Sequence, residues 1–344
     1  MKILITGGAG FIGSNFIHYM LKNHPEDKLI CVDALTYAGN PYNLKEAVLQ
    51  GSVGFVDGDI ADAKQMEAVF AREAFDVVVN FAAESHVDRS IEDPGVFLKT
   101  NVLGTQVLLD AARKFGVGRF HQVSTDEVYG DLPLDRTDLL FIEDSPLLPS
   151  SPYAASKAAA DLLVLAYHRT YGLPVSLSRC SNNYGPNQFP EKLIPLMVIR
   201  AYQQEYLPVY GEGRNVRDWI HVEDHCEAID LIVRRGKVGE VYNIGANQER
   251  NNLQVVKTIL EEMSCPLSLI AYVPDRAGHD LRYAIDAKKM KDELGWQAKT
   301  SFEEGLSRTI SWYLNHPQWW EDILSKAYLV EQHRWKQDMI GAPR

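Results

Sequence analysis

Short apolar runs alternate with stretches of helical periodicity through the first half of the chain. Six runs predict strands, because each is bounded by turn residues and is apolar throughout rather than at alternate positions. These runs are KILITG (2–7), LICVDAL (29–35), VGFVDGDI (53–60), DVVVNFAA (76–83), RFHQVST (119–125) and PVSLSRCS (174–181). The clearest helical patterns cover 96–115 and 153–171. Strands that alternate with helices in this way predict an α/β fold with a doubly wound parallel sheet.

The pattern changes beyond residue 185, where Gly, Pro and Asn become more frequent between shorter elements. The stretch VRDWIHVEDHCEAIDLIVRRG followed by EVYNIG nevertheless predicts one more helix and strand of the first sheet. We therefore expect one domain of residues 1–184 plus about 216–245. A smaller, discontinuous α/β substrate-binding lobe is expected over about 185–215 plus 246–344. The segment 130–152 is predicted to be a long functional or interfacial loop.

Composition and charge exclude several classes of protein. A chain of 344 residues with 46% hydrophobic and 24% charged residues is typical of a soluble globular protein. The longest apolar run, LIPLMVI at 193–199, is too short to cross a bilayer, and the start of the chain lacks the pattern of a secretory signal. A net charge of −11 argues against a nucleic-acid partner. The four cysteines are widely spaced, which favours a reduced, cytoplasmic location over a disulfide framework.

A glycine-rich turn follows the first predicted strand. KILITGGAGFIGSNF places Gly7, Gly10 and Gly13 between that strand and a helix. Glycine lets the backbone turn tightly there and approach a pyrophosphate at the helix N-terminus, so the sheet is predicted to be of the Rossmann type. Asp33 ends the next strand, where a carboxylate accepts hydrogen bonds from the adenosine ribose. Because DALTYAGN has no Arg or Lys to pair with a 2′-phosphate, the pattern predicts NAD rather than NADP.

Two later strand ends add candidate cofactor contacts. VDGDI places Asp59 and Ile60 at the end of the third strand, where the acid could accept from the adenine amino group. Taken alone, Asp59 is almost equally well explained as a surface acid. The small residues Ala82 and Ala83 end the fourth strand and let a flat cofactor pass close to the backbone.

A tyrosine and a lysine lie one helical turn apart in SSPYAASKAAAD. Tyr153 and Lys157 therefore share a helix face. A nearby ammonium and a positive nicotinamide ring would both lower the tyrosine pKa from its ordinary value near 10. With Thr125 at the end of the preceding strand, the pair can remove a proton from a substrate hydroxyl while the carbon gives hydride to NAD. YxxxK is common in helices, and its combination with the glycine motif and Ser124-Thr125 makes it significant.

Two adjacent acids, Asp126 and Glu127, follow directly. Ser124 to Glu127 also fits an S-x-x-E capping box, in which the acids face a helix dipole. Neighbouring side chains of a regular strand point to opposite faces, so the acids converge only if the strand has ended and the backbone turns there. We favour catalysis over capping because the acids follow Thr125 and accompany the Tyr-Lys pair.

These residues resemble the extended short-chain dehydrogenase/reductase family over essentially the whole chain. STDEVYG, SSPYAASKAAAD, RCSNNYGPNQFPEKLIPL and GRNVRDWIHVEDH resemble its nucleotide-sugar dehydratases, which implies dTDP-glucose as substrate. The implied reaction oxidises the hexose at carbon 4, eliminates water across carbons 5 and 6, and returns hydride to carbon 6. The resemblance implies Asp126 as the acid toward the carbon 6 hydroxyl, Glu127 as the base at carbon 5, and Thr125 beside Tyr153 at the carbon 4 hydroxyl. It also implies a homodimer formed through the helices near 96–115 and 153–171.

Contacts with the nucleotide sugar are predicted in both lobes. Amide groups and a helix start suit a diphosphate and sugar hydroxyls, and a guanidinium matches phosphate oxygens. These arguments point to Asn182, Asn183, Glu191, Lys192, Leu193 and Arg217. The resemblance adds Ser85 at the sugar, Pro208, Val209 and Tyr210 at the base, and Asn252, Arg276 and His279. The cofactor is predicted to contact Asn182 and also Phe11, Ile12, Leu35, Thr36 and Thr100.

Two departures from the family pattern concern access to the substrate. The run DRAGH has Ala277 where the family has proline, and the segment 130–152 is shorter than in many members.

Three other interpretations were weighed. A nucleotide-sugar 4-epimerase or a UDP-glucuronate decarboxylase uses the same oxidation but has no need of an acid–base pair at carbons 5 and 6. A regulator that binds NAD without turnover commonly lacks the tyrosine or the lysine, and this chain has both. His221 and His225 in HVEDH lack the HExxH order, so no metal site is predicted.

Overall fold

The computed structural model describes residues 1–275 and 278–341. Its strands are β1 (Lys2–Thr6), β2 (Lys28–Asp33), β3 (Val53–Asp57), β4 (Val77–Asn80), β5 (Arg119–Thr125), β6 (Val175–Cys180), β7 (Asn182–Tyr184), β8 (Leu207–Tyr210), β9 (Val216–His221), β10 (Val241–Ile244), β11 (Glu249–Asn251) and β12 (Ile270–Val273).

Its α-helices are α1 (Phe11–Asn23), α2 (Lys45–Leu49), α3 (Ala63–Arg72), α4 (Val87–Glu92), α5 (Pro94–Phe97), α6 (Thr105–Lys114), α7 (Pro152–Tyr171), α8 (Leu193–Tyr202), α9 (Val222–Arg235), α10 (Asn252–Glu262), α11 (Lys288–Leu294), α12 (Phe302–Asn315), α13 (Pro317–Leu324) and α14 (Tyr328–Gly341). A π-helical segment (Leu98–Gly104) joins α5 to α6, and short 3-10 helices cover Pro41–Asn43, Asp126–Tyr129 and Leu267–Leu269. The single helix predicted over 96–115 is therefore interrupted by the π-helical segment.

A seven-stranded sheet in the order β3-β2-β1-β4-β5-β6-β10 forms the centre of the molecule. Every neighbouring pair in it is parallel. Helices cover both faces, and each face has its own apolar cluster, one around Ile5 and Ile229 and the other around Leu4 and Phe120. The predicted doubly wound parallel sheet is confirmed. Its strand order reverses between β1 and β4, and ligands of such sheets bind at that point.

Several strands end earlier than their apolar runs predict. β3 ends at Asp57 rather than at residue 60, and β4 ends at Asn80 rather than at residue 83. The residues left over, among them Ile60 and Ala82, line a cavity at the carboxyl edge of the sheet. Apolar character there reflects contact with the cavity rather than strand pairing.

Two small sheets lie outside the central one. β7 pairs in parallel with β9, which pairs antiparallel with β11, and β8 pairs in parallel with β12. A third apolar cluster, formed largely by α8, α10 and α12, lies against them. The helix α9 packs on α1, and β10 joins the central sheet beside β6, as the sequence predicts for the stretch before residue 245.

The segment 130–152 forms an irregular connection with one isolated bridge, Phe141 to Ile285. The guanidinium of Arg282 anchors it, because Nη1 donates to the carbonyls of Arg136 (3.2 Å) and Leu139 (3.0 Å). Arg282 is almost fully buried and also forms an ion pair with Glu249 at 2.7 Å. None of the helices in the described ranges is both long and apolar enough to cross a bilayer.

Candidate active site

A cavity of about 490 Å³ opens at the carboxyl edge of the central sheet. It contains all five predicted catalytic residues, Thr125, Asp126, Glu127, Tyr153 and Lys157. Of the predicted cofactor residues it contains Gly7, Gly10, Phe11, Ile12, Gly13, Asp33, Thr36, Asp59, Ile60, Ala82, Ala83, Thr100 and Asn182, and of the substrate residues Ser85, Asn183, Glu191 and Lys192. The two sets of predicted residues therefore meet in one space.

The glycine motif forms one wall of this cavity. Gly7 has φ +71, and a Cβ there would lie 2.6 Å from the backbone nitrogen of Ala82. A Cβ on Gly13 would collide with the carbonyl oxygen of Gly7. The helix α1 begins after Gly10 without a side-chain cap, which leaves its first N–H groups available to an anion. A tight turn, close backbone approach and an uncapped helix start fit a dinucleotide pyrophosphate.

Asp33 lies at the end of β2, where the adenosine ribose is predicted. Its carboxylate accepts from the backbone N–H groups of Ala9 and Leu35, each at 2.8 Å. Burial raises the pKa of Asp33, while these two hydrogen bonds act in the opposite direction. Leu35 does not line the cavity itself; it has φ +47 and shapes the turn.

Asp59 is engaged differently from the sequence expectation. Its Oδ2 pairs with Lys99 Nζ at 2.7 Å, and its Oδ1 accepts from the backbone N–H of Ala61 at 2.9 Å. Burial raises the pKa of Asp59, but the Lys99 and Ala61 hydrogen bonds outweigh it and the pKa is lowered. The carboxylate therefore already has partners where an adenine amino group was expected.

The helix α7 positions the tyrosine and the lysine. Its start is capped by Ser151, whose hydroxyl accepts from the backbone N–H of Ala154 at 3.1 Å. The buried ammonium of Lys157 donates to the carbonyl of Val123 at 2.7 Å, which ties α7 to β5. Burial lowers the pKa of Lys157. The ammonium is thus held at the end of β5, beside the cavity.

The pKa of Tyr153 departs from the sequence expectation. Burial is the largest influence, followed by the charge of Glu127, and both raise the pKa well above 10, while a hydrogen bond with Thr125 opposes them. The predicted lowering by Lys157 is not among the main influences on this pKa, and the Lys157 ammonium donates to the carbonyl of Val123. A positive nicotinamide ring beside the phenol would act in the lowering direction.

The two adjacent acids lie where β5 ends and a 3-10 helix begins. Thr125 caps that helix, because its hydroxyl oxygen accepts from the backbone N–H of Glu127 at 3.3 Å. The strand has therefore ended, and both acids reach the cavity. Capping also occurs here, with Thr125 rather than Ser124 as the capping residue.

The environments of the two acids differ. Asp126 is only 2% exposed, whereas Glu127 is half-buried. Burial, followed by the charge of Glu127, raises the pKa of Asp126 well above its ordinary value, while Arg217 opposes them. Its surroundings therefore favour the protonated form of Asp126 more than water does, and this buried carboxyl lies beside Glu127.

A buried hydrogen-bond network around Tyr129 stabilises the turn that carries the two acids. The hydroxyl of Tyr129 donates to Asn243 Oδ1 at 2.7 Å and accepts from Arg179 Nη1 at 3.0 Å. Its ring stacks on Phe141, with centroids 5.0 Å apart. Gly130, with φ +92, then turns the chain away. The only local signal for this network is the run Val-Tyr-Gly directly after the acids, which the sequence alone did not connect to Arg179 or Asn243.

The substrate side of the cavity is formed by β7 and by the segment 188–192 that precedes α8. Asn183 is fixed on both sides, because Oδ1 lies 2.8 Å from His225 Nδ1 and Nδ2 donates to the carbonyl of Ser181 at 3.0 Å. Lys192 Nζ donates to the carbonyl of Ser85 at 3.1 Å. Two elements that are distant in sequence are thereby joined at the cavity rim.

Other predicted substrate residues lie outside this cavity, namely Leu193, Pro208, Val209, Tyr210, Arg217, Asn252 and His279. The side chain of Val209 is buried in the lobe core, so only its backbone is available to a ligand. Arg217 is buried, donates to the carbonyl of Asp280 at 2.9 Å and lies over the ring of Tyr283. Tyr210 is exposed, with its ring edge-on to His279 at 6.2 Å. Leu193 and Asn252 begin α8 and α10, while Arg276 and Ala277 lie outside the described residues.

Two residues that the sequence did not suggest belong to, or contact, the loop that follows β2. Tyr37 lines the cavity, and its hydroxyl donates to Glu191 Oε1 at 3.0 Å. Lys336 Nζ donates to the carbonyl of Ala34 at 2.9 Å and lies 3.9 Å from Asp57 Oδ1. The local segment DALTYAGN contains no cation, but the fold brings one there from α14. Proximity of residues some three hundred positions apart leaves no signal in a local motif.

The parallel sheet, and the cavity in which the predicted cofactor and substrate residues meet, define a class of dinucleotide-dependent enzymes acting on nucleotide sugars. Residues 4–309 match the model of the GDP-mannose 4,6 dehydratase family, and the chain belongs to that family. Among curated relatives, the dTDP-glucose 4,6-dehydratase of Escherichia coli is 48% identical over 358 residues, with 96% of this chain and 99% of the relative covered. The dTDP-glucose 4,6-dehydratase of Xanthomonas campestris (strain B100) is 50% identical, with 96% of this chain and 97% of the relative covered.

Solved structures give the same picture. The dTDP-glucose 4,6-dehydratase DesIV of Streptomyces venezuelae, with NAD and TYD bound, matches with a TM-score of 0.90 and 48% identity, covering 94% of this chain and 100% of that one. The UDP-glucose 4-epimerase of Thermotoga maritima matches with a TM-score of 0.85 but only 32% identity, covering 92% of this chain and 99% of that one. The chain is similar in fold to both enzymes and more similar in sequence to the dehydratase.

Proposed function

We propose that this chain is a dTDP-glucose 4,6-dehydratase, which converts dTDP-glucose to dTDP-4-keto-6-deoxyglucose with NAD as a recycled cofactor. The observation that carries the proposal is the buried acid Asp126 beside Glu127, in the same cavity as Thr125, Tyr153 and Lys157. Dehydratase relatives about half identical over nearly the full chain support the same substrate.

NAD, when bound, accepts a hydride from carbon 4 of the sugar and gives it back at carbon 6. Gly7, Gly10 and Gly13 would hold its pyrophosphate, and Asp33 would accept from the adenosine ribose. Lys157, whose ammonium is fixed at the end of β5, would hold the nicotinamide ribose.

The oxidation step uses Tyr153 and Thr125 as a pair. Thr125 hydrogen-bonds to Tyr153, so both side chains can meet the carbon 4 hydroxyl. Tyr153 removes the proton of the carbon 4 hydroxyl as carbon 4 is oxidised to a ketone. The ketone then makes the hydrogen on carbon 5 acidic, which prepares the elimination.

The elimination step uses the two acids in opposite protonation states. Glu127 removes the proton from carbon 5 while Asp126 donates its proton to the carbon 6 hydroxyl, which leaves as water. Glu127 returns a proton to carbon 5 when hydride is added at carbon 6. At this point Tyr153 holds one proton more, and Asp126 one proton fewer, than at the start. Transfer of that proton from Tyr153 to Asp126, directly or through water, restores both side chains for the next cycle.

The division of the chain into two lobes is part of the proposal. The central sheet, α9 and β10 form the cofactor side, and the small sheets with α8, α10 and α12 form the nucleotide-sugar side. Arg217 would hold a phosphate, and the exposed ring of Tyr210 would stack on the base.

A homodimer is also proposed. α4 and the π-helical segment both contact α7, and each of these three elements carries exposed apolar side chains. Ile91, Leu98, Leu103 and Leu162 belong to this set. An exposed apolar surface on packed helices is typical of a subunit interface.

Incubation with dTDP-glucose in heavy water tests the proposed reaction. The product should carry a methyl group at carbon 6 and deuterium at carbon 5, read by proton NMR. An epimerase would invert carbon 4 and retain the carbon 6 hydroxyl. Recovery of a 4-epimer, or of unchanged substrate from NAD-loaded protein, would overturn the assignment.

A further inference from the structure

One face of α14 presents three donors at four-residue intervals to the loop that follows β2. Tyr328 Oη donates to the carbonyl of Tyr37 at 2.8 Å. Gln332 Nε2 donates to the carbonyls of Thr36, at 3.1 Å, and Gly39. Lys336 Nζ donates to the carbonyl of Ala34 at 2.9 Å. Residues spaced by four share a helix face, so the helix side chains bind the loop at four carbonyls.

This loop, residues 34–39, is a wall of the cavity. Ala34, Thr36, Tyr37 and Gly39 all line it, and the loop begins directly after Asp33. Gly39 packs closely on that acid, since a Cβ there would lie 2.9 Å from Asp33 Oδ1. The loop therefore lies between α14 on one side and the predicted adenosine site on the other.

The hydrogen bonds from α14 stabilise the conformation of this loop. Leu35 has φ +47, which costs of the order of 1 kcal/mol for a residue with a side chain. Four carbonyls that would otherwise be hydrated are instead satisfied by α14, where Tyr328 and Gln332 are themselves buried. Side-chain donors from a distant helix thus hold a strained turn in one conformation.

The helix is itself fixed to the cofactor lobe. Glu331 pairs with Lys45 at 2.9 Å, and the ring of Trp335 packs edge-on against Phe55 at 5.3 Å. The family match ends at residue 309, so α14 lies beyond the segment that defines the family.

We propose that Tyr328, Gln332 and Lys336 are positioning residues for the cofactor: they hold the loop 34–39 in the shape that grips the adenosine of NAD. The inference rests on the proposed function. The proposed reaction consumes no net NAD, because the hydride taken from the sugar is returned to it. If the reduced cofactor dissociated before that return, the oxidised sugar could not be reduced. Slow dissociation of the cofactor therefore favours completion of the cycle.

The test compares side-chain variants in the full chain. Tyr328→Phe and Gln332→Met each remove donors with little change in shape, and their combination with Lys336→Met removes all of them. Val330→Ala, at a position 65% exposed on the same helix, is the matched control. The NAD dissociation constant is measured by calorimetry on protein stripped with charcoal, and the dissociation rate by displacement. Melting temperature and kcat at saturating NAD are recorded for each.

We expect the triple variant to bind NAD about tenfold or more weakly, because the net contribution of one hydrogen bond corresponds to a factor of a few. The NAD affinity of each single variant should fall by a smaller factor, and Lys336→Arg should retain the affinity of the parent. At saturating NAD, kcat should stay near that of the parent. If Tyr328→Phe and Gln332→Met bind and release NAD as the parent does, the inference is wrong while the proposed function stands. If the parent binds no NAD, both fail.

Discussion

At the scale of single residues, the opposite roles proposed for two neighbouring carboxyls follow from their different surroundings. Burial raises the pKa of Asp126, and the charge of the half-buried Glu127 raises it further. A base and an acid one residue apart require only that the strand ends between Thr125 and Asp126, which the 3-10 helix achieves.

Exchanging Glu127→Gln should slow dehydration by about a hundredfold or more, as the loss of a general base does. Substrate affinity should change little, because the amide has the same size. Product formation followed by NMR, with calorimetry for binding, checks both. Glu92→Gln, at an exposed position on α4, is the control and should match the parent. Parent-like turnover by Glu127→Gln would remove this residue from the mechanism.

Asp126→Asn should abolish the elimination and also change how stability depends on pH. A carboxyl whose pKa is raised on folding binds more protons in the native state, so the parent loses stability as pH rises from about 4 toward the raised pKa. Each pH unit in that window costs at most about 1.4 kcal/mol. The variant should therefore melt above the parent at pH 8, and the difference should shrink toward pH 4. A difference independent of pH would contradict the buried-acid assignment.

At the scale of elements, the turn that carries the acids depends on Tyr129. Tyr129→Phe removes one hydroxyl and leaves Asn243 Oδ1 without that donor in the interior. We expect a loss of about 1–3 kcal/mol in the free energy of unfolding. We also expect kcat to fall about tenfold from displaced carboxyls, with little change in KM. Tyr171→Phe, at an exposed position of α7, is the control for both measurements.

The sequence predicted elements well where local pattern decides them. Apolar runs located six strands of the central sheet, and the glycine spacing located the turn after β1. Local sequence pattern could not locate contacts between segments that are distant along the chain. Lys336 approaches the end of β2, and Lys99 engages Asp59, because folding brings α14 and the π-helical segment there. The predicted lowering of the Tyr153 pKa was not met for a similar reason. Burial raises this pKa, and burial is a property of the folded molecule rather than of the local sequence.

At the scale of the whole molecule, the two faces of α7 have different environments. Tyr153 and Lys157 are buried on one side of α7, and Leu162 is exposed on the same helix. A subunit interface on the outer face would therefore stabilise the helix that holds Tyr153. Stability of the site and association of subunits would then depend on the same element.

The homodimer is tested by placing a charge in that surface. The parent should have twice the 38.7 kDa mass of one chain in light scattering. Leu162→Asp, at a position 58% exposed in the single chain, should shift the mass toward the monomer because an ionised carboxylate is costly to bury. Leu49→Asp, at a position 76% exposed on α2, should leave the mass unchanged. A parent of monomer mass would contradict the homodimer, and a Leu162→Asp variant that stays dimeric would place the interface away from this face of α7.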